Sequence, residues 1–174
     1  MRGGAAIPHL RVGPWGARFH GRAMPCAVGR GGTGAKAAEG DGVTPEGRHG
    51  VEAVLVRARC AGGKGRKIGP FDAWSDDPRD PDYNRLVRRP RGFSHERMFR
   101  ADRLYDLVAV LDWNRDPVVK GRGSAIFLHS WRRPRWPTAG CVAFAPRDLG
   151  WILARWTPRS RVVVGFSGGS GASF

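Results

Sequence analysis

Short apolar runs bounded by turn residues predict a chain built mainly from β-strands. Such runs occupy residues 51–58, 105–111, 124–128 and 161–164, each flanked by Gly, Pro, Asp, Asn or Arg. Residues 1–25 hold their apolar positions in smaller groups, which predict either short strands or an irregular lead-in. Residues 167–174 are rich in Gly and Ser, as is typical of a flexible tail.

Helical spacing is clear in one segment near the C-terminus. Pro146 suits the first turn of a helix, and Pro158 marks its end. Four apolar residues follow the i, i+3, i+4, i+7 pattern of one helix face: Leu149, Ile152, Leu153 and Trp156. A second, shorter helix is predicted over residues 94–100, with Ser94 as its N-cap.

Two polar loops carry motifs that admit a functional and a structural interpretation. Gly29–Gly34 matches the spacing G-x-G-x-x-G, but no apolar-periodic helix follows, so a flexible surface loop is favoured over a dinucleotide site. Residues 76–84 contain four aspartates without the Gly and terminal Glu of a calcium loop. Turn and capping roles are therefore favoured for these carboxylates.

Composition is that of a single folded domain with a strong positive charge. The chain has 174 residues, 41% of them apolar, and a formal net charge of +15. The basic residues are scattered, and only four of the 30 are lysines. The charge permits an anionic polymer as partner, either nucleic acid or cell-wall material, and equally a solvated surface without a partner role.

The cysteines, the histidines and the lengths of the apolar runs limit which disulfides, metal sites and membrane segments we expect in the chain. Three cysteines cannot all pair, so at least one thiol is free, and a Cys26–Cys60 disulfide is permitted but unsupported. The dispersed histidines form no metal-ligand spacing, and we expect no metal or other cofactor. No apolar run reaches about 18 residues, so no membrane span is expected. The first residues begin basic but lack the apolar core of a signal peptide.

A histidine and a cysteine at opposite ends of one loop form the best candidate for chemistry. The apolar run at 124–128 leads to His129, a Pro- and Arg-rich loop follows, and Cys141 comes directly after Gly140. An imidazole beside a thiol favours the nucleophilic thiolate, and glycine lets backbone N–H groups approach a developing oxyanion. The pattern predicts a thiolate that is charged at neutral pH and open to solvent. The alternative for each residue is structural, as a buried small hydrophobe and a hydrogen-bonded histidine.

These residues resemble the catalytic motif of the L,D-transpeptidase (YkuD-type) family, a His often followed by Ser and then a Ser/Thr-x-Gly-Cys segment. The matching positions are His129, Ser130, Thr138, Gly140 and Cys141. Residues 44–47, Thr-Pro-Glu-Gly, resemble the family's Thr-Pro-x-Gly turn. The chain departs from many members at Ala139, where a His is common, and at Ala143, where Arg or Asn is common. These departures bear on substrate preference more than on the nucleophile or base.

The resemblance implies a mainly β fold with short helices, a β-rich mixed sheet or sandwich in a single domain. It places the catalytic domain at residues 26–166, between the lead-in at 1–25 and the tail at 167–174. It implies that Cys141 attacks an amide in a peptidoglycan stem peptide, His129 serves as base, and a thioester forms. Gly140 and Cys141 would supply oxyanion donors, while Ser130 orients the imidazole and Thr138 braces the loop. Hydrolysis results if water replaces the acceptor amine.

Several further expectations accompany this hypothesis. Five basic side chains are candidates for substrate carboxylates or the lining of the cleft: His95, Arg100, Arg132, Arg133 and Arg135. The family implies an envelope location, which conflicts with the missing signal peptide and leaves a cytoplasmic location open. We expect a monomer. The competing class is a basic nucleic-acid-binding module that stacks bases on Phe127, Trp131 or Trp136.

Overall fold

The structure is a computed structural model that describes residues 6–57, 65–89 and 92–165. Cys60 and the tail at 167–174 lie outside the described residues. In chain order the elements are β1 (Leu10–Gly13), β2 (Gly16–Phe19), β3 (Arg22–Met24), β4 (Cys26–Ala27), β5 (Thr33–Gly34), β6 (Thr44–Pro45), β7 (Gly47–His49), β8 (Val51–Arg57), β9 (Arg66–Ile68), β10 (Asp72–Ser75), β11 (Leu86–Arg88), β12 (His95–Arg97), β13 (Leu107–Leu111), β14 (Phe127–Ser130), β15 (Val142–Phe144), α1 (Pro146–Ala154) and β16 (Val162–Val164).

A six-stranded sheet in the order β4-β15-β14-β13-β8-β9 lies at the centre of the fold. It is mixed, because β14 pairs with β15 and β8 with β9 in parallel, while the other neighbours are antiparallel. A five-stranded sheet has the order β3-β2-β1-β16-β7, and smaller sheets join β11-β10-β12 and β5-β6. The predicted mainly β, single-domain fold is confirmed.

The central sheet has an apolar core on each face. Side chains alternate along a strand, so Leu128 of β14 belongs to a first core, which the central sheet forms with the five-stranded sheet and α1. Its neighbour Phe127 belongs to a second core on the opposite face, with Trp74 of the three-stranded sheet. Because both faces are covered, the strands read as continuous apolar runs in the sequence.

The helix α1 has the predicted position and face. Pro146 stands in its first turn, and Leu149 and Ile152 are completely buried against the first core. Leu153 and Trp156 pack beside them as partly buried residues. The helix ends at Ala154, shortly before Pro158.

Two segments differ from their predicted form because tertiary pairing decides their conformation. Residues 95–97 form β12 instead of a helix, and Glu96 pairs with Trp74 of β10. Residues 10–24 form β1, β2 and β3, so an irregular lead-in is wrong for this part. The parallel pairing of β1 with β16 joins the start of the described chain to its end.

The two motif-bearing loops are ordered by contacts within the protein. The Gly31 N–H donates to Gly42 O at 2.9 Å, and a Cβ on Gly29 would lie 2.0 Å from that same oxygen. This glycine-rich segment therefore packs closely against residues 42–44 and is no free surface loop. In the acidic loop, Asp77 and Asp80 accept backbone N–H groups of residues 79 and 82, which are the predicted turn roles.

The residues that resembled a Thr-Pro-x-Gly turn form parts of two short strands. Thr44 and Pro45 make up β6, and Gly47 begins β7 with a φ of 128°, a region that favours glycine. Thr44 is fully buried, and its Oγ1 accepts the Gly29 N–H at 2.8 Å. Thr44 thereby ties the glycine-rich segment to β6.

Truncation of the helix core tests the packing of α1. We expect Leu149→Ala to lower the free energy of unfolding by about 2–5 kcal/mol, since it leaves a cavity in a fully buried site. Arg147→Ala on the exposed face of the same helix should change it by less than about 0.5 kcal/mol. Urea denaturation measures both. Equal effects of the two variants would contradict this packing.

Candidate active site

A pocket of about 390 Å³ opens beside the second core, at the ends of β14 and β15. Its walls come from residues 36–40, from β12, from residues 124–126 and from the loop between β14 and β15. His129 and Cys141 both line it. The pocket combines acidic and basic side chains with apolar surface: Lys36, Glu39, Asp76, Glu96, Arg100, Arg132 and Trp131 are among them.

Strand register brings His129 and Cys141 together. β14 and β15 run in parallel with Leu128 opposite Val142 and His129 opposite Ala143. Cys141 precedes Val142, so it follows the same alternation as Ala143 and shares the face of His129. The loop of residues 131–140 thus returns the chain beside the strand that it left.

The imidazole of His129 is held in one tautomer. Its Nδ1 lies 2.8 Å from Ser130 O, and because a carbonyl only accepts, Nδ1 must carry the hydrogen. In the neutral ring this leaves the lone pair on Nε2, the nitrogen that can serve as a base. The Tyr105 ring packs edge-on against the imidazole with centroids 5.3 Å apart. Ser130 therefore orients the ring through its backbone oxygen.

The segment around Cys141 is fixed by hydroxyl groups. Thr138 Oγ1 donates to Cys141 O at 2.6 Å, and Thr44 Oγ1 contacts the same carbonyl at 3.4 Å. The thiol donates to Ala125 O at 3.0 Å and accepts the Phe127 N–H at 3.4 Å. These contacts hold both the backbone and the sulfur of Cys141.

Gly140 has a conformation that other residues rarely adopt. Its φ is 143°, and a Cβ at this position would lie 3.0 Å from Val43 O. Its N–H donates to Thr138 Oγ1 at 3.1 Å. The Gly140 N–H is one of the two backbone N–H groups expected to stabilise an oxyanion. In this structure it is already hydrogen-bonded to Thr138 within the loop.

Burial makes the thiol and the imidazole neutral at pH 7. Burial raises the pKa of Cys141 to about 12, and the nearby Glu96 carboxylate adds to the rise. Burial also disfavours the charged form of His129, and it therefore lowers the pKa of this imidazole to about 4. The hydrogen bond to Ser130 O opposes that change. Cys141 is 9% exposed and His129 6%. The expected exposed thiolate is therefore wrong for the resting protein, which holds a buried thiol and an unprotonated imidazole in the wall of one pocket.

The five predicted basic residues divide into two groups. Arg100 and Arg132 line the pocket, and Arg100 is held by Asp102 at 2.7 Å. His95, Arg133 and Arg135 are not among the described residues that line it. His95 Nδ1 donates to Phe93 O at 2.9 Å, and the Arg133 guanidinium stacks on Trp136 at 5.4 Å.

Lys36, Glu96 and Tyr105 are among the lining residues that escaped sequence reasoning. Tyr105 Oη donates to Glu96 Oε1 at 2.6 Å. Burial raises the pKa of Glu96. These side chains share no sequence motif with His129, and only the assembled sheets bring them to its pocket.

The structure also bears on the expected free thiol, on nucleic-acid binding, on metal binding and on membrane insertion. Cys26 is a buried free thiol whose pKa burial raises to about 11. Phe127 is completely buried, so it cannot stack a nucleic-acid base, whereas Trp136 is 56% exposed. Over the described ranges, no three His, Cys, Asp or Glu side chains group as metal ligands. None of the helices in the described part of the chain combines the length and apolar character needed to cross a membrane.

Comparison with known proteins identifies the family. The family model of the L,D-transpeptidase catalytic domain (YkuD) matches residues 18–164, and the chain belongs to this family. No curated protein matches the chain. The predicted boundaries at residues 26 and 166 stay predictions.

Two solved structures align with most of this chain. One is an L,D-transpeptidase from Mycobacterium smegmatis, with 15% sequence identity and a TM-score of 0.43, aligned over 91% of this chain and 58% of that one. The other is L,D-transpeptidase 1 of Mycobacterium tuberculosis, with 16% identity and a TM-score of 0.40, aligned over 91% and 61%. The chain thus spans less than two thirds of the length of each of these proteins.

The protonation states can be tested by thiol alkylation. We expect the rate of Cys141 labelling by iodoacetamide to rise about tenfold per pH unit from pH 7 to 10, because the pKa near 12 leaves the thiol neutral over this range. Mass spectrometry of the Cys141 peptide separates this signal from the other cysteines. A plateau reached below pH 7 would instead indicate a preformed thiolate–imidazolium pair.

Proposed function

We propose that the protein is a cysteine-dependent acyltransferase, an L,D-transpeptidase that cross-links peptidoglycan stem peptides. The observation that carries this proposal is that His129 of β14 and Cys141, which directly precedes the parallel strand β15, line a single pocket. Family membership supports the same class of chemistry.

In the first half-reaction His129 Nε2 takes the thiol proton as Cys141 Sγ attacks the donor carbonyl. Because thiol and imidazole are both neutral at rest, no thiolate is preformed, and we assign the transfer of the thiol proton to the substrate-bound state. The C–N bond then breaks, and the leaving amine, a D-alanine by analogy with the family, receives the proton from His129. A thioester on Cys141 remains.

In the second half-reaction an acceptor amine of another stem attacks the thioester. His129 takes a proton from the amine as the new amide bond forms, and the proton returns to the sulfur as the C–S bond breaks. With the Gly140 N–H engaged by Thr138, we assign the Cys141 N–H as the backbone donor to the oxyanion. Water in place of the amine would give hydrolysis by the same route.

Charged groups at the pocket fit an ionised peptide substrate. Arg132 lines the pocket, and Arg100 stands there with its guanidinium fixed by Asp102. We propose that these two arginines meet a stem-peptide carboxylate. The biological roles that follow are cell-wall biogenesis and maintenance of cell shape, in the cell envelope.

Incubation with defined muropeptides tests the function. We expect cross-linked products and a Cys141 acyl-enzyme, both detected by mass spectrometry, and no product from Cys141→Ser. His129→Ala should slow turnover by about 10²–10⁴-fold, the usual contribution of a positioned base.

The matched control is Cys26→Ala, which removes the other described thiol and should retain activity because Cys26 does not line the pocket. Monomeric products alone would indicate a hydrolase. Turnover that survives Cys141→Ser would contradict the proposed nucleophile.

A further inference from the structure

Lys36 places a buried ammonium group in the wall of the pocket. Its side chain is only 2% exposed, and its Nζ donates to Asp41 Oδ1 at 2.5 Å. Asp41 is fixed in turn by the backbone N–H groups of Ala37, Ala38 and Val43, at 2.9–3.1 Å. The cation thus has a defined position and little freedom to leave it.

Two glycines make room for this side chain beside the nucleophile loop. A Cβ on Gly123 would lie 2.3 Å from Lys36 Cε, so any other residue there would displace the lysine side chain from this position. A Cβ on Gly140 would lie 3.6 Å from Lys36 Nζ. The ammonium therefore lies against the backbone that immediately precedes Cys141.

We propose that the Lys36 ammonium stabilises, through the electrostatic field at the pocket, the negative charge that develops on Cys141 Sγ and on the reacting carbonyl oxygen. The part that concerns the carbonyl oxygen rests on the proposed acyl transfer, whereas the part that concerns the sulfur does not. A fixed cation in a buried site acts strongly on nearby charge because little water screens it.

Electrostatics around the sulfur are consistent with this role. Burial and the Glu96 carboxylate raise the pKa of Cys141, whereas the Phe127 N–H and the Lys36 ammonium lower it. Burial alone would raise the pKa of Asp41. The hydrogen bonds from Lys36 and from the backbone N–H groups outweigh burial and hold this pKa well below its usual range. Asp41 therefore stays ionised beside the cation. The other charged or titratable groups of the pocket are Glu39, Asp76, Arg100, Tyr105, His129 and Arg132.

A purely structural role predicts a different result. The Lys36–Asp41 pair also braces residues 36–43, which lead into Thr44 and its contact with Cys141 O. If bracing were its only role, loss of either partner would disturb Cys141 in the same way. An electrostatic role predicts opposite effects, because the two partners carry opposite charges.

The experiment compares Cys141 alkylation by iodoacetamide from pH 7 to 10 in four proteins: wild type, Lys36→Met, Asp41→Asn and the double variant. We expect Lys36→Met to label about tenfold more slowly at fixed pH, equivalent to a rise of one pKa unit. Asp41→Asn should label faster than wild type. The double variant and Asp41→Asn form a matched pair that lacks the carboxylate and differs only in the ammonium, so the double variant should label more slowly.

Equal labelling rates in that matched pair would overturn the proposal, even if Lys36→Met alone does not fold. Shifts of both single variants in the same direction would also overturn it. The assay needs no peptide substrate, so its outcome is independent of the muropeptide assay. A labelling contrast without muropeptide turnover would refute acyl transfer and leave the effect of Lys36 on the thiol standing.

Discussion

The parallel pairing of β14 with β15 is the interaction on which the candidate site depends. The register that sets His129 opposite Ala143 also determines that the imidazole and the thiol share one face. A slip of one residue would move one of the two side chains into the opposite core. Parallel neighbours need a connection outside the sheet, and the loop of residues 131–140 is that connection.

Burial is the dominant electrostatic influence on the site. It keeps both Cys141 and His129 neutral, and the nearby charges of Glu96, Arg100 and Lys36 modify that state without reversing it. A neutral thiol is a poor nucleophile, so the proposed acyl transfer requires charge separation once a substrate is bound. The tautomer of His129 is compatible with that proposal, because Nε2 carries a lone pair and no proton.

Much of the fold could be predicted from the chain because its strands are short apolar runs between turn residues. The same holds for α1, whose face at Leu149 and Ile152 is repeated at helical spacing. The prediction failed at residues 95–97, where pairing with β10 outweighs a local N-cap signal at Ser94. It was incomplete before residue 25, because the partner of β1 is β16, far away in the sequence.

The candidate nucleophile and base could be read from residue order alone, since His129, Gly140 and Cys141 form a local pattern that suits thiol chemistry. The protonation of the two side chains depends on the fold, because desolvation is set by what packs around a group and not by its neighbours in the chain. The fold also decided that Arg132 reaches the pocket while Arg133 and Arg135 do not. For the same reason Lys36 and Glu96 could not be found from the sequence: their distance to the sulfur is set by the packing of separate segments around one sheet edge.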